Sequence, residues 1–330
     1  MSQHFQYDMK MYGEIKLYAG SGSPELAQKI ADYLKQPLSP REVIQFSNEN
    51  IFIKLKSSAR GQDVYIIQTT SSPVHYNLME LLIMIQTIRL DSAARITAVI
   101  PYLCYGRSDK KDQPRVPITA RLVADMIEIA GADRYMTFDP HAGQIQGFFS
   151  VPGDVLTASH MVSDYIKKNL MGEMKDPAVV ATDLGFAKKG RNYALDLNVP
   201  IAFIEKRRIG SDAHAEAWTL IGDVRERDVI IVDDEVDTGG SVAQAVEVVK
   251  KHGARDVYLA FIHPIFSKNA AERLAELPIK HIITTDTITI PPEKMKPLEG
   301  HITVLSIAPM LGEVIRRAHE GRSVGEMFNE

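Results

Sequence analysis

Apolar runs of strand length alternate with stretches of helical period along the chain, the pattern of stacked strand–helix units around parallel sheets. The runs predict strands at Ile15–Ala19, Val64–Gln68, Ile96–Ile100, Arg134–Phe138, Ala178–Ala181, Ile201–Ile204, Val229–Val232, Val257–Phe261 and Lys280–Thr284. The stretch from Val43 to Lys56 has room for a further pair. Two helices carry start signals. Ser23-Pro24 sets a capping hydroxyl before a first-turn proline, after which Leu26, Ile30 and Leu34 share one face. Pro117 opens a segment with Leu122, Met126 and Ile129 in phase, and Gly131 closes it.

The stretch from Asp63-Val-Tyr-Ile-Ile to Ala94–Pro101 has a counterpart running from Asp228-Val-Ile-Ile-Val to Ala254–Phe261. In a chain of 330 residues this favours two related, doubly wound α/β domains with mainly parallel sheets. A change to small polar residues between Ser150 and Ser159 suggests domains at 1–157 and 158–307, leaving 308–330 as a helix and tail that could join either.

Composition narrows the classes. Apolar residues at 45% and charged residues at 24% are ordinary for a soluble globular protein. With 38 Lys+Arg against 42 Asp+Glu, net charge -4, a basic nucleic-acid surface is not expected. No apolar window reaches the ~18 residues of a membrane span, and Met1–Lys16 has no signal-peptide pattern, so a cytoplasmic protein without membrane partners is expected. The single cysteine, Cys104, excludes an internal disulfide, and no Cys/His spacing suggests structural zinc.

The most specific chemistry follows Val229-Ile-Ile-Val232, whose β-branched residues predict a buried strand. Asp233 and Asp234 come next and can accept from two adjacent hydroxyls, such as a ribose diol. Asp237, Thr238, Gly239, Gly240 and Ser241 then lead into a helix, where backbone N–H groups and the helix dipole suit a phosphate. Diol acceptors beside a phosphate cradle describe a sugar phosphate.

This turn resembles the ribose-5-phosphate loop of the phosphoribosyltransferase fold. The rest of the chain narrows the likeness to the ribose-phosphate diphosphokinase (phosphoribosyl-diphosphate synthetase) family. The stretches that carry it are Asn77–Ile85, Ile96–Tyr102, Pro117-Ile-Thr-Ala, Ala130-Gly-Ala-Asp133 and His141–Phe149, and the likeness runs from about Leu17 to the C-terminus. The resemblance implies two tandem phosphoribosyltransferase-like domains and Mg²⁺-dependent transfer of a diphosphoryl group from ATP to ribose 5-phosphate. It also implies a homo-oligomer, often a hexamer.

Four further segments take roles from that likeness. Arg107-Ser108-Asp109-Lys110-Lys111, extending to Arg115, reads alone as a solvated charged turn or a loop able to close over polyphosphate; the resemblance makes it an ATP loop. Phe46, Asn48 and Asn50 fall where the family grips adenine. Asp139-Pro140-His141 and Thr182-Asp183 each follow a predicted strand; the resemblance implies metal contacts at Asp139, His141 and Asp183, and a catalytic place for His141. Lys206 and Arg208, read as following the strand Ile201–Ile204, align with the family's catalytic lysine and with an arginine that also binds the sugar phosphate. The chain departs from the family's pattern at Asn50, Ser108, Pro140, Ser150 and Phe186. Two other readings share the sugar-phosphate turn: a base-salvage phosphoribosyltransferase, and a non-catalytic regulatory partner of an active synthetase.

Overall fold

The structure is a computed structural model describing residues 12–183, 185–208 and 216–328; the side chains of 206–208, 216, 217 and 328 lie outside that description. The chain forms two compact units. The first takes the described residues of Met1–Thr137, Ala142–Asp154 and Ala308–Glu330, and the second takes Phe138–His141 and Val155–Ile307. A single division at 157/158 is therefore corrected. Phe138–His141 belongs with the second unit because Asp139 bonds Leu156, Thr157 and Ala158 there.

In chain order the first unit holds β1 (Ile15–Ala19), α1 (Pro24–Leu34), β2 (Arg41–Gln45), β3 (Ile51–Leu55), β4 (Asp63–Ile67), α2 (Val74–Leu90), β5 (Arg95–Ile100), α3 (Thr119–Ala130) and all but the last residues, Phe138 and Val155–Leu156, of β6 (Arg134–Phe138) and β7 (Gly153–Leu156). Its sheet runs β1-β4-β5-β6-β7, with β2 and β3 as a separate antiparallel hairpin. Every residue of β4 and β5 is buried, as continuous apolar runs in a covered parallel sheet require. α3 starts at Thr119 rather than Pro117. Ser108 fixes that start: its carbonyl accepts the N–H of Ala120 (3.1 Å) and its hydroxyl lies 3.3 Å from that of Thr119.

The second unit holds α4 (Ser159–Asn169), β8 (Ala178–Ala181), α5 (Ala187–Leu197), β9 (Ile201–Arg208), β10 (Glu216–Ile221), β11 (Val229–Val236), α6 (Gly240–Lys251), β12 (Val257–Pro264), α7 (Ala270–Glu276), β13 (His281–Thr285), α8 (Pro292–Met295) and β14 (Ile302–Leu305). Its sheet order is β10-β9-β8-β11-β12-β13-β14, parallel except for the β9–β10 pair. Three strands escape the apolar-run reading. β7 and β14 are four-residue edge strands with few buried positions, and in β10 Glu216 and Thr219 break up the apolar run.

Three strands, β9, β11 and β12, outrun their predicted ends by three residues or more. β9 continues through Glu205–Arg208 because β10 pairs beside it, Arg208 opposite Glu216, so the cationic run lies in the strand rather than after it. β11 continues to Val236 beside β12, although its pairing with β8 stops at Val232. α9 (Ala308–Glu320) returns to the first unit and packs on α1, burying Leu311, Val314 and Ile315. No described helix is long and apolar enough to cross a membrane.

Candidate active site

In an open parallel sheet, ligands gather outside the carboxyl ends of the strands where the strand order reverses. The first sheet runs in one direction from β1 to β7, without a reversal. The second reverses at β8, which has β9 on one side and β11 on the other. Because β8 stops at Ala181 and β11 does not, Asp233 and Asp234 stand on a strand extension whose β8 edge is open.

Adjacent strand residues face opposite ways, and these two carboxylates find different partners. Thr182, just past β8, donates its hydroxyl to Asp233 Oδ2 (2.8 Å), and the N–H of Asp234 donates to Asp233 Oδ1 (2.8 Å). His141 Nδ1 lies 2.7 Å from Asp234 Oδ2. Burial and then the charge of Asp234 push Asp233 well above the usual carboxylate range. Burial would raise Asp234 as well, but the hydrogen bond from His141, the contact with Asp233 and the charges of His141 and Lys189 outweigh it and hold Asp234 low. The negative charge of the pair therefore resides on Asp234.

Beyond β11 the chain turns into α6 through Gly239, whose φ of 73° lies in the left-handed region that glycine enters without strain. No side chain caps α6, so its first-turn N–H groups are open to an anion. Arg273 of α7 donates to the carbonyl of Thr238 (3.1 Å), and Ser267 N–H to that of Asp237 (2.9 Å), which fixes the loop from behind. Asp237, Thr238, Gly239, Gly240 and Ser241 thus form one rigid turn at the same strand end as the acid pair.

The remaining predicted residues divide by place. Asp183 is exposed and accepts the N–H of Phe186 (2.7 Å), while Phe186 itself is buried at the start of α5. Asp139 is buried, with one carboxylate oxygen taken by the Thr157 hydroxyl (2.9 Å) and the other by Ala158 N–H (2.8 Å). The backbone of Lys206 and Arg208 lies in β9, but their side chains fall outside the described residues. On the first unit, Phe46, Asn48 and Asn50 form the tip of the β2–β3 hairpin. Phe46 N–H donates to Asn50 O (2.9 Å), and the Asn48 side chain accepts Asn50 N–H (3.2 Å). Phe46 is half exposed. Arg107, Lys110 and Lys111 are exposed in the loop after β5, whereas Asp109 is buried and bonded by Gln144.

Residues 15–131 match the family model described as the N-terminal domain of ribose phosphate pyrophosphokinase, and residues 213–329 match the phosphoribosyl synthetase-associated domain. A ribose-phosphate pyrophosphokinase from Caldanaerobacter subterraneus subsp. tengcongensis is 44% identical over 314 residues, 95% of this chain and 98% of that protein. One from Haemophilus influenzae is also 44% identical, over 96% of this chain and 99% of its own. The chain belongs to the ribose-phosphate pyrophosphokinase family. The crystal structure of phosphoribosylpyrophosphate synthetase from Mycobacterium smegmatis superposes with a TM-score of 0.88 at 39% identity, covering 94% of this chain and all of that one. The fold is accordingly two tandem phosphoribosyltransferase-like domains, and the protein is an enzyme of the pyrophosphokinase class. These full-length matches remove the base-salvage reading.

Within this pyrophosphokinase, several residues at the cluster carry no motif that would expose them in the sequence. Thr182 had only its place after a strand to mark it. Lys189, on the first turn of α5, donates to the carbonyl of Pro140 (3.1 Å) and adds positive charge near Asp234. His263, in an apolar run, is buried between Thr287 Oγ1 (3.0 Å) and the carbonyl of Asp139 (3.3 Å), and burial lowers its pKa so that the ring is neutral. Tyr193 is buried with its hydroxyl unpartnered among the described residues. Its phenol is raised first by burial and then by the surrounding acids, Asp139 foremost.

Proposed function

We propose that this enzyme transfers the diphosphoryl group of ATP to the C1 hydroxyl of ribose 5-phosphate, giving 5-phosphoribosyl 1-diphosphate and AMP. The observation that carries the reading is the coincidence, at the one reversal of the second sheet, of a carboxylate pair and an uncapped helix start. Asp233 and Asp234 are suited to the ribose hydroxyls, and Asp237–Ser241 to the 5-phosphate. Phe46, Asn48, Asn50 and the Arg107–Lys111 loop supply aromatic, amide and cationic groups for the nucleotide.

The C1 oxygen attacks the β-phosphorus in line. The bond from that phosphorus to the α-phosphate oxygen breaks, AMP leaves with the electron pair, and the hydroxyl proton passes to solvent. Such transfer depends on positioning and on charge stabilisation, the roles assigned here to Lys206, Arg208 and His141.

Among the described residues, no three His, Cys, Asp or Glu side chains converge on a cation site, and both carboxylate oxygens of Asp139 are committed. Mg²⁺ rarely needs a full protein cage, since one or two ligands, waters and substrate phosphates suffice. Exposed Asp183 and part-exposed His141 therefore fit an ion that arrives with the triphosphate, and Asp139 does not. Bound there, the ion neutralises phosphate charge.

The test is AMP release by the purified chain, supplied with ATP, Mg²⁺ and a panel of sugar phosphates. Turnover restricted to ribose 5-phosphate is expected. Nucleotide binding without AMP release would turn the reading toward the regulatory partner. Self-association into a hexamer belongs to the same proposal and is read by light scattering.

A further inference from the structure

The segment that delivers His141 to Asp234 begins at a strained residue. Asp139 has φ 34°, a costly region for a side chain with a Cβ, and such a residue persists only where its surroundings over-determine it. The Asp139 N–H donates to Leu156 O (2.9 Å), and its carboxylate is taken by Thr157 and Ala158. The next carbonyl, that of Pro140, is held by Lys189. The Asp139 carbonyl faces His263 Nε2 at 3.3 Å.

That carbonyl can only accept, so Nε2 carries the proton. In the neutral ring Nδ1 is then the acceptor and faces the Thr287 hydroxyl (3.0 Å), whose one hydrogen is shared with the carbonyl of Ile262 (3.1 Å). His263 is 2% exposed and sits on β12, opposite Glu235 of β11, one residue beyond Asp234. One buried imidazole thus ties the turn before His141 to the strand pair that carries the partner of His141.

We propose that His263 is a positioning residue for the diphosphoryl transfer: its Nε2–H fixes the Asp139 carbonyl, and through that turn it sets His141 against Asp234. Its kinetic consequence rests on the proposed function; its structural content does not. Removing the donor leaves a buried carbonyl unpaired beside a strained residue, and the turn relaxes.

The test compares three substitutions and a double-mutant cycle. In His263→Gln the carboxamide N–H reaches where Nε2 stood; His263→Asn reaches only toward Thr287; His263→Leu offers no donor. For Asn and Leu, kcat is expected to fall about 10²-fold with little change in KM, as for a displaced reacting group, while Gln stays near the unmodified enzyme. In a His141→Ala background, His263→Leu is expected to cost almost nothing further, because both changes remove the same placement. Independently of turnover, the imidazole nitrogen resonances of His141 are expected to shift in the Leu variant and to return in the Gln variant. If His263→Leu does not fold, the Gln and Asn pair carries the comparison. Additive losses, equal behaviour of Asn and Gln, or an unmoved His141 signal in a folded Leu or Asn variant would overturn the proposal. An unmodified chain that releases no AMP strikes the proposed function instead, and the His141 signal still decides the role of His263.

Discussion

Asp233 and Asp234 are neighbours in the chain with opposite titration behaviour, and the cause lies in what each one meets. Asp233 meets a neutral hydroxyl and a like charge; Asp234 meets an imidazole and, at longer range, an ammonium. Asp234→Asn keeps an oxygen for His141 but removes the charge. Its expected effects are a fall in kcat of roughly 10–100-fold, the size of one lost charge-assisted bond, and a lower pKa at Asp233. The sign follows from the cause: the charge that opposed ionisation of Asp233 is gone, while burial still keeps it above an ordinary carboxylate. Kinetics and a carboxyl NMR titration check the two halves. At this scale the sequence named both acids and His141, since all three follow strand-like runs, but not which carboxylate holds the charge. That depends on Thr182, Lys189 and Asp139–His141, drawn from three other parts of the chain.

Elements aim these residues. β11 overshoots β8 because β12 runs on beside it, and the overshoot turns a predicted acidic turn into an acidic strand end with one open edge. Four β-branched residues mark where the strand is buried, not where it stops, because its end is set by the length of its neighbour. The α6 start is different, since Thr238-Gly239-Gly240-Ser241 states it locally. Gly239→Ala tests that turn. A Cβ there has room, its nearest neighbour being Arg273 Cδ at 3.6 Å, so the penalty is the left-handed backbone. About 1 kcal/mol is the expected loss in folding stability, since the turn is formed before any ligand arrives, and binding of ribose 5-phosphate weakens only as far as the turn relaxes; urea denaturation and calorimetry measure the two.

Across the whole chain, the closure of the first unit depends on its last helix. Arg95 donates from Nε and Nη2 to Asp63 (2.7 and 2.6 Å) and from Nη2 to the carbonyl of Ala318 (3.0 Å), while His319 Nδ1 lies 2.8 Å from Asp63. Asp63 is fully buried, so this clamp joins β4, β5 and α9 away from water. Asp63→Ala leaves the Arg95 guanidinium without its carboxylate, with only the Ala318 carbonyl and the Tyr65 hydroxyl to accept from it, and is expected to cost about 3–5 kcal/mol, seen as a lower urea midpoint with early loss of amide protection in α9. Most strands and helices, the alternation of parallel units and the glycine turn that opens α6 were legible in the sequence, because each is a local matter of period, turn chemistry and β-branching. Three features were settled only by the tertiary structure: the return of α9 to the first unit, the passage of Phe138–His141 into the second, and the meeting of His141, Thr182 and Asp234. Each joins residues tens to hundreds of positions apart, and strand order and buried charge pairing, which no local window contains, decide which of them meet.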